Sequence, residues 1–262
     1  MITSPQNPKL KLVRALMGRA RERREANAFV AEGVRLVEDA AEAGWKFKFA
    51  LYSAGLSERG MNVLNRLKAS RVEVDEVSGD LLQKLSDTEA PQGLLAVLEL
   101  TQLPITNHPD FILIPDQIRD PGNLGTLLRS AAASGVQAVL LPPETTDAFS
   151  PKALRAGMGA HFRVPIREMG WEEIGQFCRA AGLQMYIADM DGASCWETDL
   201  RKPLALVIGG EAEGASGEAR KLADGKISIP MAGSVESLNA GVAGSVLMFE
   251  VVRQRSGSRQ RQ

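Results

Sequence analysis

Cysteine and histidine are nearly absent from this chain. Two cysteines in 262 residues, Cys178 and Cys195, supply neither a disulfide framework nor a metal-ligand spacing. They read as free thiols in a reducing cytoplasm. Two histidines, His108 and His161, are too few for a histidine metal site, so no metal is expected. Long apolar runs are missing too. Stretches such as 138–143 and 204–208 fall far below the roughly 20 residues that span a bilayer, so no membrane segment is expected. Lys9, Lys11 and Arg14 open the chain with no apolar core behind them, which is not the pattern of a secretory signal. An Arg-rich, acid-poor helical start also suits a mitochondrial presequence, so the expected compartment is the cytoplasm, with the mitochondrion not excluded. No tandem repeat is visible.

An excess of charge of either sign is also lacking. Lys and Arg number 31 against 32 Asp and Glu, a formal net charge of -1. That total alone disfavours a general nucleic-acid binder. Its distribution is less even: residues 1–35 carry a net +5, residues 253–262 a net +4, and the stretch between them -10. Lys9, Lys11, Arg14, Arg19, Arg21, Arg23 and Arg24 form the N-terminal basic run and are candidate phosphate contacts. The competing reading is an ordinary solvated helix face. With 44% hydrophobic and 24% charged residues, the chain is globular in composition, and its length suits two compact domains or one large α/β unit.

Hydrophobic periodicity divides the chain. Residues 9–25 predict a helix with Leu10, Val13 and Leu16/Met17 on one face. Residues 27–33 break the pattern. Helices are expected over 34–43, 58–69 and 79–85, and strands over 47–52, 72–77 and 94–100. This is a small α/β domain at 1–100. Pro104, Asn107 and Pro109 mark 101–110 as a linker. Short apolar strands then alternate with helices: strands at 111–114, 138–141, 163–166, 184–188, 204–208 and 226–229, and helices at 123–134, 151–157, 171–181 and 237–253. Such alternation means a parallel sheet covered on both faces, with ligands beyond the carboxyl ends of its strands. The second domain is therefore placed at 111–255, followed by a basic tail at 256–262.

The strand-end loops hold the unusual residues. After the first strand of the second domain, DQIRDPGNLGTLLR runs from Asp116 to Arg129. Asn123 follows a Pro-Gly turn and suits a helix N-cap. Arg129 lies on a helix whose neighbours Leu127, Leu128, Ala131 and Ala132 are apolar, so its charge calls for an anion or a carboxylate. A second loop reads Gly209, Gly210, Glu211, Ala212, Glu213, Gly214. Paired glycines let a backbone approach closely, but no Lys-Ser/Thr follows and GxGxxG is absent, which excludes a Walker loop and disfavours a dinucleotide-dependent oxidoreductase. Spacing alone reads it as a plain glycine-rich turn. The third loop, IPMAGSVESLN, spans Ile229 to Asn239. Here Ser237 can cap the last helix, placing Leu238 and Asn239 in its first turn. The small residues Ala240, Gly241, Ala243 and Gly244 then call for close packing.

Together, NLGTLLR at 123–129, GGEAEG at 209–214 and IPMAGSVESLNAGVA at 229–243 resemble the three ordered motifs of the SpoU (TrmH-like) RNA 2′-O-ribose methyltransferases. SPKALRAGMGAHFRVP at 150–165 resembles that family's connecting segment. Any one motif is weak, but three in order are specific. FVAEGVRLVEDA at 29–40 lies in a region similar to the L30e-like RNA-binding domain often placed before this catalytic domain. The resemblance implies an α/β fold whose C-terminal parallel sheet carries a trefoil knot of the SPOUT type, plus a small N-terminal α/β L30e-like domain. It implies S-adenosylmethionine as cofactor, ribosomal or transfer RNA as partner, and a homodimer. Carried over position by position, it assigns Arg129, Asn123, Glu211, Ser237 and Asn239 to the active site. Gly209, Gly210, Ile229, Met231 and Leu238 fall to donor binding. One departure is Gly157, where relatives often carry Ser. The alternative from another class is a catalytically idle RNA-binding scaffold of the same fold, which the filled active-site positions disfavour.

Overall fold

The computed structural model describes residues 1–259 except 212, 235 and 236, and the side chains of 257–259 are not included. The chain divides into two compact units, Met1–Thr101 with Phe149–Phe162, and Gln102–Ala148 with the chain from Arg163 onward.

The first unit opens with α1 (Pro8–Gly18) and α2 (Ala20–Ala26). The expected single helix is broken at Arg19, whose backbone is extended (φ -122°, ψ 138°). Asn7 caps α1 by accepting the Lys9 N–H at 2.9 Å, and Leu10, Val13 and Leu16 form its buried face. Asn27, in the left-handed region at φ 45°, ends α2 and admits β1 (Ala28–Glu32). This strand lies where the sequence shows only a break. Both of its faces are buried, so it carries no alternation to read. Then follow α3 (Val34–Glu42), β2 (Phe47–Tyr52), α4 (Glu58–Ala69), β3 (Val74–Glu76), α5 (Gly79–Leu85) and β4 (Leu94–Glu99). The sheet order is β1-β4-β2-β3, with β4 antiparallel to both neighbours and β2 parallel to β3.

Residues 102–110 lack secondary structure, as a linker would, but the second unit holds them. Leu103 O accepts from Arg167, and Asp110 pairs with Arg255 at 3.1 Å. The chain continues through β5 (Phe111–Asp116), α6 (Pro121–Ser134), β6 (Ala138–Leu141), α7 (Pro151–Gly157), β7 (Ile166–Glu168), α8 (Trp171–Ala180), β8 (Gln184–Ser194), β9 (Leu204–Gly209), α9 (Gly217–Leu222), β10 (Gly225–Ser228) and α10 (Ala240–Arg259). The six-stranded sheet is ordered β10-β8-β9-β5-β6-β7, and its strand pairs are all parallel. β5, β6 and β9 are buried almost throughout, as central strands covered on both faces must be. α10 carries the expected 256–262 tail as far as Arg259; residues 260–262 lie outside the described residues.

α7 and the turn Ala160–Phe162 belong to the first unit, although the sequence places them inside the second domain. The reason is aromatic packing. Phe149 and Phe162 join Phe29 and Trp45, with Phe29–Phe149 centroids 5.0 Å apart and Trp45–Phe162 centroids 5.2 Å apart. Each such contact contributes roughly 0.5–1.5 kcal/mol beyond area burial. Gly157, the departure from the family pattern, is a buried residue at the end of α7. Among the described residues no helix is long and apolar enough to cross a membrane.

Candidate active site

The site lies at the carboxyl ends of β5 and β9, which run side by side with Asp116 opposite Gly209. After β5 the chain turns into α6. Asp120, not Asn123, is the N-cap of this helix: its side chain accepts the Asn123 N–H at 2.9 Å. The helix therefore starts two residues earlier than expected, with Pro121 in its first turn, where a missing N–H costs nothing. Freed from capping, the Asn123 carboxamide is available for other contacts.

Those contacts are supplied by the other two loops. The Asn123 Nδ2 donates to the Glu211 carboxylate, and the Asn239 Nδ2 donates to Asn123 Oδ1 at 2.9 Å. Asn239 is itself fixed: its Oδ1 accepts the Val242 N–H at 3.2 Å, and its O accepts the Ala243 N–H at 2.8 Å. Asn239 thus caps α10, which begins at Ala240. The expectation that Ser237 caps this helix and that Leu238 and Asn239 lie within it is corrected. Ser237 is exposed in the preceding loop. The result is one hydrogen-bonded chain, Glu211–Asn123–Asn239, joining segments 88 and 116 residues apart. It fixes which end of each carboxamide is donor and which is acceptor. Glu211 orients Asn123, and no contact with Arg129 is seen.

The glycine loop owes its shape to backbone contact. Gly210 and Gly214 exchange two N–H···O bonds of 3.1 Å. A Cβ on Gly209 would overlap the backbone of Gly214 and Ala215, and one on Gly210 would lie 2.6 Å from Gln117 O. Both positions therefore require glycine because the chain folds back on itself there. Below the loop lies Asp116, fully buried, which sequence reasoning missed. Its Oδ2 accepts the Ser216 N–H at 2.6 Å, and its Oδ1 has no hydrogen-bond partner. Burial pushes its carboxyl above the usual carboxylate range, against the bonds from Ser216. The signal available was a carboxylate closing an otherwise apolar strand.

Arg129 is exposed on α6 and makes no hydrogen bond or ion pair with the described residues. The carboxylate partner that its surroundings called for is not supplied among the described residues, and the exposed guanidinium can meet an external anion. The small residues of α10 pack as expected, against α6 and β9: a Cβ on Gly244 would strike Leu127 and Ile208, and Ser130 and Ser245 hydroxyls meet at 2.6 Å. Ile229 is half-buried, while Met231 and Leu238 remain 40% and 36% exposed. Ala212, Val235 and Glu236, within the second and third motifs, lie outside the described residues. Both thiols are pushed up to about 11 by burial, which makes them inert. Among the described residues no cluster of three or more metal-ligating side chains exists.

The N-terminal cations are less available than their sequence implies. Arg23 is buried and donates to Leu16 O, so it is part of the fold rather than a surface contact. Lys9 pairs with Glu73 and Asp75, and Arg21 with Glu25. Lys11, Arg14, Arg19 and Arg24 are exposed.

A parallel α/β sheet with neutral amides, one carboxylate and a folded-back glycine loop at its strand ends defines a ligand-binding α/β domain of a kind distinct from dinucleotide-fingerprint folds. This chain belongs to the SpoU rRNA Methylase family, whose model matches residues 110–249. The MRM3-like substrate binding domain matches residues 7–96. The chain is 34% identical to the 23S rRNA (uridine(2479)-2′-O)-methyltransferase of Streptomyces viridochromogenes, covering 98% of this chain and 93% of that protein. It is 31% identical to the 23S rRNA (guanosine(2553)-2′-O)-methyltransferase RlmP of Bacillus subtilis, over 95% of this chain and 98% of that one. Its fold matches the crystal structure of the SpoU methyltransferase AviRb from Streptomyces viridochromogenes in complex with AdoMet. The TM-score is 0.86 at 32% identity, covering 96% of this chain and all of that one.

Proposed function

We propose that this protein transfers a methyl group from S-adenosylmethionine to a ribose 2′-hydroxyl of ribosomal RNA. The observation that carries the reading is the Glu211–Asn123–Asn239 chain, which gathers three family motifs into one arrangement of fixed donors and acceptors. The residues suit the donor. Met231 and Leu238 are exposed apolar side chains at the strand ends, and burying them under an adenosyl group is favourable. Gly209, Gly210 and Ile229 would supply backbone contacts. The knotted passage implied by the resemblance is part of this reading.

When bound, the donor supplies an electrophilic methyl on a sulfonium. The protein must align the ribose oxygen and favour charge on it. Arg129 binds the adjacent phosphate and stabilises the developing alkoxide; its guanidinium stays protonated, so it does not act as a base. The hydroxyl proton leaves to phosphate or water. Asn123, Ser237 and Asn239 position the substrate, with Glu211 fixing the Asn123 carboxamide.

RNA is gripped in part by Lys11, Arg14, Arg19 and Arg24, exposed cations that suit phosphate contact. A second copy of the chain covers the outer face of α10, where Val242, Val246 and Phe249 recur at helical spacing beside Trp196; Trp196 and Phe249 are each 49% exposed. The compartment that fits a bacterial ribosomal RNA substrate is the cytoplasm. Calorimetry with S-adenosylmethionine separates an enzyme from an idle scaffold. Binding with one site per chain is expected, and no heat at millimolar donor would overturn the reading.

A further inference from the structure

A carboxyl at Asp116 weakens the unit that contains it. It closes β5, whose other residues are apolar and buried, and it is itself 0% exposed. Its Oδ2 accepts the Ser216 N–H at 2.6 Å, while its Oδ1 has no hydrogen-bond partner among the described residues. A buried polar atom without a partner is destabilising, and a buried charge without a counter-ion more so. Asp116 makes no ion pair with a described residue. The charged groups that bear on it are themselves carboxylates, Glu144 in the loop after β6 and Glu218 on α9. An apolar side chain at the end of β5 would avoid these penalties at the loss of one hydrogen bond. What that bond holds is therefore the reason for the carboxyl.

The bond holds the glycine loop. The loop leaves β9 at Gly209, which pairs in register with Asp116 across the sheet. It returns at Ser216, whose N–H the Asp116 side chain accepts. Both ends rest on one residue, one on its backbone and the other on its side chain. The two Gly210–Gly214 bonds close the loop on itself, whereas the Asp116–Ser216 bond ties its far end to the sheet. Ser216 also caps α9 by accepting the Ala219 N–H at 3.2 Å, which anchors that end to a helix. The floor is shaped for the same contact. Gln117 is in the left-handed region at φ 54°, and its carbonyl lies where a Cβ on Gly210 would be. Such backbone persists in a non-glycine residue where its surroundings over-determine it. Between the two anchored ends stands Glu211, which holds the Asn123 carboxamide.

We infer that Asp116 is a positioning residue: by accepting the Ser216 N–H it fixes the glycine loop on β5, and so sets both the Gly209–Gly210 backbone that meets the donor and the place of Glu211. This rests on the methyltransferase reading. The test uses the full-length protein and calorimetry with S-adenosylmethionine. Asp116→Val removes the acceptor but fills the space with a side chain suited to a strand. Asp116→Ala removes the acceptor and leaves a gap. Asp116→Asn keeps an oxygen for Ser216 and discards the charge. Each is measured at a temperature where circular dichroism shows it folded. The Val and Ala variants should bind the donor about tenfold or more weakly, the scale of one buried hydrogen bond. The Asn variant should stay within about threefold of wild type, since the bond to Ser216 survives. A residue that served only the fold would lower the unfolding midpoint and leave the affinity of folded molecules alone. Wild-type affinity in a folded Val or Ala variant would overturn the inference. So would an Asn variant as weak as the Val variant, which would tie the effect to charge and not to the bond. Failure of both the Val and Ala variants to fold would make Asp116 a folding residue and overturn it too. All three results leave the methyltransferase reading in place, whereas a wild-type protein that binds no S-adenosylmethionine would remove it.

Discussion

At the scale of single residues, the site depends on groups whose surroundings fix their chemistry. Asn123, Glu211 and Asn239 were each nameable through motif resemblance, but their pairing was not, because their partners lie 88 and 116 residues away in sequence. Local capping rules misassigned Asn123 and Ser237, since Asp120 and Asn239 compete for the same caps and win. Arg23 was misread because charge alone says nothing about which helix face is inward. Asp116 yields a test of its own. Its folded carboxyl sits above the ordinary value of about 3.9 because of burial. The folded chain therefore holds that proton more tightly than the unfolded chain does. The associated stability is fully present below about pH 4 and is lost as pH rises through the raised value. Asp116→Asn removes this titration. Urea unfolding should show the wild type losing stability relative to the variant as pH rises above about 4, the unfolded value. Parallel profiles would show that Asp116 does not titrate with folding.

At the scale of elements, many helices and strands follow from periodicity. β2, α4, α5, β6 and α7 match their expected bounds, being flanked by turn residues or caps. β1 and α9 were missed. The first is buried on both faces, and the second has six residues, too short to show a period. The glycine loop after β9 illustrates how one spacing admits two causes. Glycine there permits close approach, but what approaches is the chain's own backbone at Gly214, Ala215 and Gln117. Gly209→Ala should destabilise the second unit by about 1–3 kcal/mol through overpacking. It should also abolish S-adenosylmethionine binding in calorimetry, because the loop that presents Glu211 must move. Wild-type unfolding and wild-type affinity together would refute the close-packing account.

At the scale of the whole molecule, composition misled and distribution informed. A net charge of -1 conceals a basic start and an acidic body, and part of that basic start is spent inside the first unit on Glu73, Asp75 and Leu16 O. The assignment of Phe149–Phe162 to the first unit was not legible in sequence, because it depends on Phe149 and Phe162 finding Phe29 and Trp45 across more than a hundred residues. The apolar outer face of α10 bears on assembly. If a second copy covers it, Phe249→Glu places a charge in a self-complementary contact and should convert a dimer to a monomer in sedimentation velocity. A monomeric wild type would remove the dimer from the account.

The central claim is methyl transfer to a ribose oxygen, and alkali tests it most directly. Incubating the protein with tritiated S-adenosylmethionine and a bacterial 23S ribosomal RNA transcript, then hydrolysing the RNA in base, separates the outcomes. A 2′-O-methyl group removes the hydroxyl that attacks the neighbouring phosphate, so its linkage survives. The account predicts label in alkali-resistant dinucleotides, falling at least a hundredfold with Arg129→Lys, on the order of an oxyanion-stabilising contact, because lysine lacks the planar fork. Label in mononucleotides, no label, or near-normal turnover by Arg129→Lys would contradict it.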